Sequence, residues 1–253
     1  MPLGVRPRLY DGVRPLNGAC VADDTRFTRP LYTVAQASRY VGMPPSTLAT
    51  WAKGYTKRFP DRPDVIQGPV ITSVNGSVSP GPTIPFIGLV EATVVQAFRQ
   101  TGLPLQRVRR ALQVLADQGE LEHALASERL YTDGAQVLYD YASESGDQML
   151  RLLTVVDSGQ RVFHEVIVDY LRRITFDDTW ATGLILPVTK RDVLQVRPSV
   201  ASGDPIFLRG GAPLSAVVSR SKAGERATSI AADYEVPVTD VQEALDVVLP
   251  AAA

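Results

Sequence analysis

Residues 31–58 read LYTVAQASRYVGMPPSTLATWAKGYTKR, and their apolar spacing decides how the front of the chain folds. Val34, Ala37 and Val41 recur at i, i+3 and i+7, so they share one face of a helix over 33–42. Gly42 separates this helix from a second, over 44–54. Pro44 and Pro45 stand at the entrance of the second helix, where a missing N–H costs nothing. Leu48 and Trp51, at i and i+3, face inward. That leaves Ser46, Thr47, Thr50 and Lys53 facing outward, followed by the basic exit Lys57, Arg58 and Arg62.

Beyond this helix pair the pattern changes. In FPDRPDVIQGPVITSVNGSVSPGPTIPF, short β-branched pieces alternate with Gly, Asn and Pro, and Val-Asn-Gly-Ser is a hairpin-turn signal. We expect a two-stranded wing with strands near Val70–Ser73 and Ser77–Ile84. IGLVEATVVQAFRQTG then reads as a helix carrying Val90, Val94, Ala97 and Phe98 and ending at Gly102. LPLQRVRRALQVLADQG follows with Leu105, Val108, Leu112 and Leu115 on one stripe. A helical or mixed segment runs from 120 to 127.

Residues 1–30 are rich in Pro, Gly and Arg without periodicity, and we expect an irregular arm with one short strand. Residues 129–160 are mixed. VFHEVIVDYL, with Phe163, Ile167 and Leu171 at i+4 steps, reads as a helix. ITF and TGLILP flank Asp177-Asp178 as a hairpin. The last segment opens with a short strand and Gly/Pro turns and then gives helices near 213–223, 226–233 and 238–248. The expected fold is mainly α with short β elements (α+β). It has a winged helix-turn-helix head at 1–128, a mixed middle region at 129–194 and a tri-helical unit at 195–253.

An apolar fraction of 45 % and a net charge of −1 describe an ordinary globular protein. The charge distribution says more. Residues 1–62 carry ten Lys/Arg against four acids, a balance of +6, whereas 220–250 carry three against six, a balance of −3. A basic front suits phosphates and an acidic rear does not. Cys20 is the only cysteine, so no intrachain disulfide and no thiolate zinc site can form. No stretch has the roughly 18 consecutive apolar residues of a membrane helix, and the N-terminus lacks a signal-peptide run. We therefore expect a cytoplasmic chain with no membrane partner.

The chemistry-bearing residues point to binding rather than catalysis. A slim second helix with small polar side chains can approach a DNA major groove closely. Lys53, Lys57, Arg58 and Arg62 would then meet phosphates. His123 and His164 are the only histidines, and neither adjoins a nucleophile motif. We expect His123 to face solvent on a helix and His164 to be structural. Gly210-Gly211 lacks the Gly-Lys-Ser/Thr ending of a phosphate loop. No catalytic residue, metal site or cofactor is expected.

The order helix-turn-helix, wing and two further helices resembles the MerR-type winged-helix head. YTVAQASRYVGMPPSTLATW at 32–51 and LVEATVVQAFRQTGLPLQRVRRAL at 89–112 carry the resemblance. The family's long coiled-coil dimerisation helix and metal-sensing cysteines are absent, and its basic residue after the recognition helix has no single counterpart. Residues 195–249 resemble the antitoxin family called domain of unknown function 433. The match rests on Arg197-Pro198-Ser199-Val200, Gly203-Asp204-Pro205-Ile206-Phe207, Arg209-Gly210-Gly211-Ala212-Pro213, and the run from Ile230 to Leu245. A head and tail so combined look like VapB-type antitoxins.

The resemblance implies a partner, a PIN-domain (VapC-type) ribonuclease that the chain neutralises, and an operator DNA through which it represses its own operon. It also implies a homodimer or a toxin–antitoxin hetero-oligomer. An antitoxin can silence a metal nuclease by placing a basic side chain among its carboxylates. Arg209, Arg220 and Arg226 are the candidates for that contact. The alternative is a MerR-like transcriptional regulator whose rear half takes a small effector.

Overall fold

The computed structural model describes residues 24–61, 63–74, 81–100, 102, 104–119, 123–130, 172–177 and 179–249. Cys20, Arg62, His164, Asp178, most of the expected arm, the Asn75-Gly76 turn and the expected helix at 162–171 lie outside them.

The head starts with a single helical turn, α1 (Thr25–Thr28), where an extended or irregular arm was expected. Asp24 sets it by accepting from the Arg26 N–H at 2.9 Å, and Phe27 is buried beneath it. Helix α2 (Val34–Val41) opens on a capping box in which Thr33 and Gln36 satisfy each other's backbone N–H. It closes at Gly42, in the left-handed conformation. Helix α3 (Pro45–Lys53) follows with Pro45 in its first turn. Both helices lie within a residue or two of their sequence-based bounds.

The ribbon is where the structure departs from the sequence reading. Its strands are β1 (Tyr55–Lys57) and β2 (Val65–Gln67), paired antiparallel with Thr56 opposite Ile66. The pieces expected to form the wing are engaged elsewhere. Val70 N–H donates to Trp51 O at 2.8 Å, and Thr83 and Ile84 N–H both donate to Tyr32 O at 2.9 Å. The stretches 70–74 and 81–84 therefore seat the helix pair. Of the expected hairpin, the described residues keep the bond from Val74 N–H to Thr83 O, 2.9 Å.

Helix α4 (Phe86–Gln100) is the axis of the fold, with twelve of its fifteen residues buried. Such a helix reads as apolar on all sides because neighbours cover all sides. Helix α1, helix α2 and the amphipathic helix α5 (Leu105–Gly119) pack on it, and a 3₁₀ turn (Ala124–Ala126) closes its flank.

The rear half is an antiparallel sheet followed by three helices. Strands β3 (Ile174–Phe176), β4 (Ala181–Ile185), β5 (Leu194–Val196) and β6 (Ile206–Phe207) pair in that order. The β3–β4 hairpin turns where Asp177-Asp178 was expected to turn it. The boundary expected between 194 and 195 falls inside this sheet, since β4 and β5 are hydrogen-bonded neighbours. Helices α6 (Leu214–Lys222), α7 (Ala227–Asp233) and α8 (Val238–Val248) match the three expected from the sequence. One buried apolar cluster runs from Trp51 and Phe86 through Leu115 to Leu184, Phe207, Ile230 and Val241. Head and tail thus share a core.

Candidate nucleic-acid interface

The geometry of α3 is set from beneath. Leu48 is fully buried and Trp51 nearly so, which fixes the helix's rotation. Ser46 and Lys53 are consequently exposed, while Thr47 and Thr50 are half-buried at the edges of the outer face. Thr50 Oγ1 donates back to Ser46 O at 2.9 Å, a bond that holds its methyl and hydroxyl in one rotamer.

The ribbon leaves α3 through Gly54, at φ 72°. A Cβ there would stand 2.2 Å from Gln67 O, so the return strand can approach only a glycine. This close approach keeps the ribbon beside the C-terminal end of α3. Lys57 and Arg58 are exposed on it. The Lys57 ammonium lies 5.1 Å from the Phe59 ring centroid, and Arg58 Nε is 3.9 Å from Asp64 Oδ2 with its side chain 89 % exposed. Such exposed contacts are weak and leave both cations able to turn to a phosphate. Ile66, 75 % exposed, stands out on one face of the same ribbon, while Tyr55 and Val65 are exposed on the other.

The three arginines proposed for a partner's carboxylates are placed differently from one another. Arg209 forks onto Asp240, with Nε to Oδ2 at 2.9 Å and Nη2 to Oδ1 at 2.7 Å. Asp240 is buried, so this guanidinium neutralises an internal charge. Arg220 is held by Glu225 and by Asp233, the latter at 2.5 Å, and lies 5.3 Å from the Tyr234 ring centroid. Its hydrogen bonds to the two carboxylates raise its pKa above the ordinary value. Neither is the loose surface arginine that insertion into a partner requires. Arg226 is exposed at the N-terminal edge of α7.

Three polar residues of the head take roles that were not read from the sequence. Glu91 is buried on α4 and accepts from Thr72 N–H at 2.5 Å. His123 Nδ1 lies 3.1 Å from Glu91 Oε1 and 2.9 Å from Thr72 Oγ1. The histidine ring also meets Phe27 edge-on, with centroids 4.8 Å apart. It is packed between helix α4 and the rings of Phe27 and Trp180, where a solvent-facing helical position was expected. Arg109 on α5 donates Nη1 to Gly68 O. The sequence did hold a signal for Glu91, a carboxylate inside the apolar run IGLVEATVV.

A helix pair rotated by a buried Leu-Trp edge, with a basic ribbon at its exit, defines a helix-turn-helix DNA-binding head. Residues 30–112 match the family described as "Putative DNA-binding HTH domain". The chain is 39 % identical over 231 residues to "Putative antitoxin VapB45" of Mycobacterium tuberculosis (strain ATCC 25618 / H37Rv), covering 89 % of this chain and 96 % of that protein. It therefore belongs to the VapB45 family. It is also 23 % identical over 238 residues to "Uncharacterized protein Rv2308" of the same organism, covering 86 % of this chain and 90 % of that one. The fold matches the crystal structure of Rv2018 from Mycobacterium tuberculosis with a TM-score of 0.71 and 37 % identity, over 87 % of this chain and all of that one. No described helix is long and apolar enough to cross a membrane.

Proposed function

We propose that this chain is the antitoxin of a type II toxin–antitoxin pair, acting without catalysis in the cytoplasm. Its head, 1–128, binds operator DNA and represses its own operon. Its rear half, with a 195–253 unit of the domain of unknown function 433 type, meets a PIN-domain (VapC-type) ribonuclease. The observation that carries the reading is the pairing of an outward-facing α3 with membership of the VapB45 family. Ser46, Thr47, Thr50 and Lys53 lie along the surface that would face the base edges, and Lys57 and Arg58 on the ribbon would meet the backbone. Two heads in a dimer, or in a toxin–antitoxin hetero-oligomer, would read a palindromic site.

With Arg209 and Arg220 engaged inside the tail, Arg226 is the basic side chain of the three best placed to reach the toxin's carboxylates. The test is co-expression with the short gene beside this one. Rescue of growth and recovery of the neighbour's product on the tagged chain support the antitoxin reading. Toxicity that persists with the chain present rejects it.

A further inference from the structure

An open cavity of about 890 Å³ lies between the ribbon's exit and helix α5. That is the size of a pocket for a small organic molecule. Lys53 stands on its rim, and Val70, Leu112 and Ala116 supply apolar wall. On the same wall is Arg109, whose environment is unusual. Its Nη1 is bonded to Gly68 O, but its Nη2 is shielded from solvent and has no hydrogen-bond partner among the described residues. Burial lowers the pKa of this guanidinium, and no carboxylate among the described residues is bonded to it. A charged donor left in that state is costly unless something comes to pair with it. Glu91, the carboxylate on the cavity floor, does not serve, because it is taken by Thr72 N–H and His123.

We propose that this cavity binds a small organic carboxylate, and that its occupancy is coupled to the DNA-binding face. The carboxylate engages the Arg109 guanidinium as that group turns toward the cavity, and Lys53 adds a second positive charge. The planar guanidinium suits a carboxylate's two oxygens, and the apolar wall suits a short hydrocarbon or ring behind it. Coupling follows from what the cavity is made of. Lys53 ends α3, Gln67 ends β2, and Gly68 follows it, so an occupant bonds the recognition helix to its ribbon. This second part rests on the DNA-binding reading, and the first does not.

The test titrates sodium benzoate, sodium hexanoate and inorganic phosphate into the full chain by calorimetry, without DNA. Saturable binding of benzoate or hexanoate at millimolar Kd or tighter is expected, weakened roughly tenfold or more in Arg109→Gln and unchanged in Lys222→Gln. Ala116→Trp puts an indole into the cavity and leaves the Arg109 side chain chemically unchanged, and is expected to weaken binding, so a poorly folding Arg109 variant does not decide the matter. Binding of neither carboxylate, or binding indifferent to both variants, overturns the site. Phosphate binding as tightly as benzoate overturns the carboxylate assignment. DNA affinity measured with and without saturating benzoate tests the coupling, and an unchanged value overturns it. A chain that binds no DNA in either case defeats the functional reading and leaves the calorimetric result standing.

Discussion

The hydroxyl of Tyr32 donates to the carbonyl of Gly203 at 2.8 Å, joining the strand-like entry of the DNA-binding head to the tail across 171 positions of sequence. The bond is buried, and Gly203 sits at φ 84° with the Leu31 side chain only 2.8 Å from where a Cβ would be.

Tyr32→Phe removes the donor and strands a buried carbonyl, which costs about 1–2 kcal/mol. Gly203→Ala adds strain and a clash at the same seam, costing about 1–3 kcal/mol. Denaturant unfolding checks both. Head and tail are expected to unfold in one transition in the parent chain, because they share the apolar cluster. DNA affinity per folded molecule is expected to stay at the parent value in Tyr32→Phe.

Arg209 makes a contrasting prediction. Removing one partner of a fully buried ion pair costs about 3–5 kcal/mol. Here the Arg209 side chain is 59 % exposed, and Arg191 Nη1 remains 3.5 Å from Asp240. Solvent screening and this second cation reduce the loss, so Arg209→Met is expected to cost about 1–3 kcal/mol. Its readout is chemical denaturation. If Arg209 instead acts on the toxin, the variant keeps its stability and loses rescue of growth.

Stability responds to pH at both ends of the range. Burial alone would raise the pKa of Asp177, but the N–H groups of Trp180 and Thr179 and the Arg26 guanidinium, 2.6 Å away, hold it below its ordinary 3.8. A depressed carboxylate stabilises the fold above its unfolded value, and the contribution disappears as pH falls through the folded one. Asp177 is half exposed, so the effect is below about 1 kcal/mol. Asp177→Asn is expected to flatten the acid limb of the stability curve.

The alkaline limb belongs to two tyrosines. Burial, with the Asp204 charge behind it, pushes Tyr40 up to about 12. Burial, then Tyr40 and Asp204, pushes Tyr32 further in the same direction. Raised values keep both phenols neutral in the fold, so the stability they add is present below pH 10 and is lost as pH climbs through the folded value. Ultraviolet titration of the tyrosinate band is expected to show two phenols ionising only together with unfolding.

Helix positions were legible in the sequence because the burial that creates them is local. Val34, Ala37 and Val41 repeat at the helical period, Gly42 stops the helix, and Pro45 starts the next. The tail helices carry equally local punctuation. The ribbon was misplaced because β-branched pieces announce extended backbone and not its partner. Val70 pairs with Trp51, and Ile84 with Tyr32, through hydrogen bonds that no window of sequence contains. The sheet was divided for the same reason, since β4 and β5 join across a loop. The outward residues of α3 followed from the Leu48-Trp51 face. The commitments of Arg209 to Asp240 and of Arg220 to Asp233 needed coordinates.

Helix α3 and its ribbon are the proposed contacts with duplex DNA. Fluorescence anisotropy on the DNA upstream of the gene, over a salt series, tests them most directly. Affinity is expected to fall with salt. A Lys53→Gln, Lys57→Gln, Arg58→Gln variant is expected to bind more weakly, with a log–log slope shallower by about 0.9 for each phosphate it no longer neutralises. A variant matching the parent chain in both affinity and slope would contradict the claim.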